Sequence, residues 1–194
     1  LTTEHRMATL DGPVSADDMS KIGLLLTLSE SASAEVFSST LNKCRSNDTD
    51  VPVIGFTGTG GAGKSSLLDE LMLRILRDNP DKKICLLCVD PTRKRTGGAL
   101  LGDRIRMNSL SNNNLFMRSL ATRHRLGGLA PATHELASVL RAAYPRTLVE
   151  TVGVGQSEVA VEHVCDSVVL VIQPGSGDAL QFMKAGILEI PDLF

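Results

Sequence analysis

The chain has 194 residues, enough for one good hydrophobic core and at most a small appendage. Its 42% hydrophobic and 22% charged content is ordinary for a globular fold, and a net charge of -2 gives no footprint for nucleic acid or an anionic membrane surface as partner. No apolar run approaches membrane-spanning length and no signal-peptide pattern opens the chain, so it reads as cytoplasmic.

The sequence begins at Leu1 rather than Met and stops at Phe194 just after an apolar segment, which reads as a piece of something longer. Residues 1–13 carry no pattern. Ser15-Ala16-Asp17-Asp18 then has the form of a helix start, with Ser15 as N-cap and Met19, Ile22, Leu25 and Leu26 following at helical spacing. A second, weaker helix is expected with Val36, Phe37 and Leu41 on one face, and the polar stretch 45–50 reads as a linker. Residues 1–50 thus read as an N-terminal helical segment and linker, of which 1–44 carry no chemistry and are expected to form a small cap or dock, and 51–194 form the second unit.

From Val51 the pattern alternates. Strands are expected at 51–57, 83–89, 114–118, 147–150 and 167–173, with helices near 64–77, 131–143, 156–164 and 178–189. Such alternation predicts an α/β fold: a mostly parallel sheet with helices on both faces, its ligands at the carboxyl ends of the strands.

The first strand runs into Gly58-Thr59-Gly60-Gly61-Ala62-Gly63-Lys64-Ser65-Ser66, which fits G-x-x-x-x-G-K-[ST] between a strand and a helix. This is the Walker A phosphate loop, the P-loop of NTPases. Its glycines let successive N–H groups, including those of Gly60, Gly61, Ala62 and Gly63, face one anion, and the helix N-terminus adds partial positive charge. Lys64 would reach the β- and γ-phosphates and the Ser65 hydroxyl would bind Mg²⁺. Thr59 stands where a branch of related ATPases carries a second lysine, which favours a switch over a kinase.

The second strand ends in Val89-Asp90-Pro91, with the Asp90 carboxylate at the crevice. The basic, glycine-bearing stretch that follows contains Asp103, and two readings stay open: a switch loop bringing a second carboxylate to the metal, or a solvated loop with an incidental Asp. Cys85 and Cys88 form C-x-x-C inside an apolar strand, where positions three apart face opposite sides, so both are expected to be buried rather than to share a metal. The fourth strand ends in Glu150, the Walker B position for holding Mg²⁺, followed by Thr151-Val152-Gly153. Gly153 would let a backbone N–H approach the γ-phosphate. Gln156 would either orient the attacking water or cap a helix. No arginine is assigned a catalytic role, and the four histidines show no metal-ligand spacing.

Together, 58–66, Val89-Asp90-Pro91, the stretch 97–107 and Glu150-Thr151-Val152-Gly153-Val154-Gly155-Gln156-Ser157 resemble the MeaB/ArgK-type P-loop GTPases, chaperones of adenosylcobalamin-dependent acyl-CoA mutases such as methylmalonyl-CoA mutase. The resemblance covers about 51–194. Arg118-Ser119-Leu120-Ala121-Thr122-Arg123 looks like the GTPase portion of the fused isobutyryl-CoA mutase, whereas Pro174-Gly175-Ser176-Gly177-Asp178 is closer to the stand-alone chaperones. The resemblance implies GTP as substrate and Mg²⁺ as cofactor. It places Lys64 and Ser65 on phosphate and Mg²⁺, Asp90, Asp103 and Glu150 around the metal, and Gly153 at the γ-phosphate. It implies a mutase as partner, leaves room for a homodimer, and would place the protein in the mitochondrial matrix of a eukaryote. The family's guanine-reading Asn-Lys-x-Asp pattern is expected just after Phe194. Guanine preference is therefore implied by the resemblance alone, and residues 1–194 by themselves are expected to bind GTP weakly or not to distinguish it from ATP. The alternatives are a metal-insertion GTPase, a P-loop small-molecule kinase, and a nucleotide-gated interaction module with negligible turnover.

Overall fold

β-Branched and aliphatic runs bounded by turn residues fold here into buried parallel strands, as expected where helices cover both sheet faces. The computed structural model describes residues 10–44, 51–90, 107–121, 133–151, 161–173 and 189–194. Two N-terminal helices, α1 (Met19–Ser31) and α2 (Ala34–Cys44), precede β1 (Val53–Thr57), α3 (Lys64–Asp78), β2 (Ile84–Asp90), β3 (Leu115–Ala121), α4 (Thr133–Ala143), β4 (Thr147–Glu150) and β5 (Ser167–Leu170). The five strands form one sheet in the order β3-β2-β4-β1-β5, all pairs parallel. The chain leaves β1 for β2 on one side and returns through β4 to β5 on the other. The carboxyl ends of β1 and β4 therefore lie side by side, where open α/β sheets hold ligands.

Alternation along β2 builds both cores. Ile84, Leu86 and Cys88 pack with Leu68, Met72 and Leu76 of α3, while Cys85 and Leu87 join Ile22, Leu25, Phe37, Leu41, Leu136 and Leu140 from α1, α2 and α4. The cysteine pair thus faces opposite ways, as its spacing in a strand requires. The N-terminal helices bury their apolar residues in the same cluster as Val53 and Val149 of the sheet. Lys83 pairs with Asp17, and the buried Lys21 ammonium donates to Asp11 O (2.5 Å) and Gly12 O (2.6 Å). No helix among the described residues is long and apolar enough to cross a membrane.

Several boundaries differ from the sequence reading. Asp18, not Ser15, caps α1: its Oδ1 accepts from Lys21 N at 2.9 Å, while Ser15 O accepts from Asp18 N in a preceding turn. Val36 lies on the exposed side of α2, and the buried face is Phe37, Thr40, Leu41 and Cys44. β3 runs on to Ala121 because β2 pairs with it residue by residue as far as Asp90. β5 stops at Leu170 because its neighbour β1 ends at Thr57, whose carbonyl takes the last bond, from Val171 N at 2.8 Å. The helix expected over 156–164 meets the described residues only at 161–164, where Val161–His163 form a single 3₁₀ turn, and that over 178–189 falls almost wholly outside them.

Candidate functional site

The loop between β1 and α3 is shaped by glycines where other residues would not fit. Gly58 has φ +137, and a Cβ there would stand 2.2 Å from Val171 O, so the backbone passes against the residue that follows β5 with no room for a side chain. Gly63, at φ +93, is the left-handed N-cap of α3. Lys64 opens the helix and is buried, and its Nζ donates to Gly58 O (2.7 Å) and Thr59 O (2.8 Å). The ammonium thereby holds the loop curled around the helix N-terminus, where N–H groups and the helix dipole favour an anion.

Ser65, one residue on, donates from Oγ to Glu150 Oε1 at 2.6 Å. Glu150 is buried at the end of β4, paired in register with Phe56 of β1 and Cys88 of β2. The contact joins residues 85 positions apart and brings two of the four sequence-predicted metal groups together. A hydroxyl and a carboxylate are the hard oxygen donors that Mg²⁺ selects, so this pair fits that ion beside a phosphate-binding loop. Asp90 closes β2, two positions beyond the Cys88–Glu150 pairing, which puts its backbone at the same end of the sheet. Gly60 and Gly61 lie in the turn, Ala62 N donates to Thr59 O at 3.2 Å, and Ser66 is exposed on the first turn of α3. Asp103, Gly153 and Gln156 lie outside the described residues.

Two features beside the site escaped the sequence reading. Asp69, on the apolar side of α3, accepts from Ser109 N (2.8 Å), Asn108 N (2.9 Å) and Asn108 Nδ2 (3.3 Å). It thus caps the 3₁₀ turn Asn108–Ser111. Burial pushes its carboxyl up, but hydrogen bonds from Ser109 and Asn108 outweigh this and hold it below the ordinary value. A charged residue next to Leu68 in a buried helical stripe was the available signal. The second is a pair of hydroxyls: Thr151 Oγ1 lies 3.0 Å from Thr57 Oγ1, both side chains being buried.

The family model described as methylmalonyl-CoA mutase-associated GTPase MeaB matches residues 22–194. The chain is 44% identical to a fused isobutyryl-CoA mutase of Geobacillus kaustophilus, over 91% of this chain and 17% of that protein. It is 42% identical to a mitochondrial methylmalonic aciduria type A homolog of Caenorhabditis elegans, over 72% of this chain and 35% of that one. Both relatives are thus far longer than the matched region. Among solved structures, a LAO/AO transport system kinase superposes with a TM-score of 0.58 at 21% identity, covering 99% of this chain and 55% of that one, a likeness of fold.

Proposed function

The chain belongs to the MeaB family of methylmalonyl-CoA mutase-associated GTPases, and from that premise we propose that it binds GTP with Mg²⁺ and hydrolyses it as a switch, chaperoning cofactor loading and protection in an adenosylcobalamin-dependent acyl-CoA mutase. The observation that carries the reading is the 2.6 Å contact between Ser65 and Glu150 beside a phosphate loop closed by Lys64. A bound Mg²⁺ supplies charge neutralisation for the β- and γ-phosphates. Ser65, Asp90, Asp103 and Glu150 hold it in this reading. Lys64 exchanges loop carbonyls for phosphate oxygens, and Gly153 N–H marks the γ-phosphate. Gln156 orients the attacking water. With positioning and charge stabilisation as the main contributions, no covalent step falls to the protein. The output is a conformational signal to the mutase, in the cytoplasm or, in a eukaryote, the mitochondrial matrix.

A second arrangement is favoured by the 44% identity to a fused isobutyryl-CoA mutase: the same switch built into the mutase polypeptide. The full-length natural protein tests the common reading. A fluorescent GTP analogue should bind in a Mg²⁺-dependent way, resist competition by ATP, and be lost in Lys64→Ala, with affinity falling at least about tenfold. Phosphate release should respond to an added acyl-CoA mutase. Equal competition by ATP, or phosphate transfer to a small-molecule acceptor in place of hydrolysis, would overturn it.

A further inference from the structure

Thr57 and Thr151 sit behind the metal side of the site, one peptide link from its working groups. Thr57 closes β1 and is followed by Gly58, whose carbonyl accepts from Lys64; Thr151 follows Glu150, which accepts from Ser65. The two residues are 1% and 2% exposed, with Oγ1 atoms 3.0 Å apart. Thr151 N also donates to Phe56 O at 3.0 Å. With Phe56 in register with Glu150, the two threonines are the next cross-strand pair beyond the ladder. A hydroxyl carries one hydrogen, and Thr151 Oγ1 has Thr57 Oγ1 at 3.0 Å against Phe56 O at 3.5 Å, so the threonine pairing takes it.

We propose that Thr57 and Thr151 are positioning residues: their hydroxyl pair sets the spacing of the β1 and β4 ends, and through it the Ser65–Glu150 geometry that receives the metal. This rests on the Mg²⁺-triphosphate reading of the site. An ordinary cross-strand threonine pair stabilises a sheet by a small amount and nothing more. A pair that orients metal-holding groups changes metal affinity when removed, typically 10- to 100-fold. The bond links residues that directly adjoin Gly58, which accepts from Lys64, and Glu150, which accepts from Ser65.

The test uses the full-length natural protein and a fluorescent, non-hydrolysable GTP analogue, measuring the Mg²⁺ concentration at half-maximal binding. Thr151→Val keeps the shape and removes the hydroxyl, and Thr57→Val does the same from the other strand, so either supports the test should the other not fold. Each should raise that concentration about tenfold while leaving affinity in EDTA unchanged. Thr151→Ser should restore the natural value, and the double valine variant should be no worse than either single one. Valine variants with natural Mg²⁺ dependence, serine that fails to rescue, or additive effects would overturn the proposal alone. An unmodified protein indifferent to Mg²⁺ would overturn the reading of the site, and the proposal with it.

Discussion

At the scale of single residues, the phosphate loop was legible because its chemistry is local. Gly58, Gly63, Lys64 and Ser65 are specified by a contiguous motif, and the geometry of each follows from its own φ or side chain. Gly58 makes the strongest prediction: Gly58→Ala places a methyl 2.2 Å from Val171 O and should cost about 2 kcal/mol or more in urea unfolding, with triphosphate binding lost as well. Glu150 was legible as an acid ending an apolar strand and Ser65 as a second metal group, whereas the direct hydrogen bond between them was not, since it depends on β4 lying beside β1. The threonine pair was hidden for the same reason: neither residue stands in a motif that needs a hydroxyl. Gln156, by contrast, rests on motif alone. Gln156→Ala should lower turnover about 100-fold in a phosphate-release assay while triphosphate affinity is unchanged; unaltered turnover would return the residue to a capping role.

Among elements, α3 has two attachments. Its N-terminus carries Lys64 and Ser65, and one turn later Asp69 grips the 3₁₀ turn that leads into β3. Because folding lowers the Asp69 carboxyl below its unfolded value, its contribution is full above about pH 4 and is lost as the pH falls through the lower folded value. Asp69→Asn should therefore cost about 1–3 kcal/mol at neutral pH and flatten the decline of the urea midpoint below about pH 4. An unchanged acid limb would show that other carboxylates govern it. The five strands and the helices near 64–77 and 131–143 were read from periodicity, and their ends less so. Ser15 and Asp18 both satisfy N-cap chemistry, and the choice fell to Asp18 because residues 15–18 are taken up by a turn. Val36 met the helical spacing, yet the packing of α2 turns Phe37, Thr40 and Leu41 inward and leaves it outside. Such choices depend on where neighbouring elements dock, which no local pattern contains.

For the whole molecule, the sheet divides the buried apolar residues, among those described, into two cores. Leu25 of α1 lies in the same cluster as Val149 of β4 and Tyr144, so Leu25→Ala should destabilise the entire fold by about 2–5 kcal/mol. Tyr144 fluorescence and far-ultraviolet dichroism should still report one transition; separate midpoints would mean that the N-terminal helices melt independently of the sheet. The outward alternation of β2 has another consequence, kinetic rather than energetic. Cys85 and Cys88 are both fully buried but belong to opposite cores, and burial pushes the Cys85 thiol well above its usual range. Since only an exposed thiolate reacts, alkylation of each must wait for its own side of the sheet to open. Pulse alkylation of the native protein thus times two events separately: departure of the α1–α2–α4 layer at Cys85 and lifting of α3 at Cys88. A triphosphate held at the N-terminus of α3 should slow the second clock more than the first.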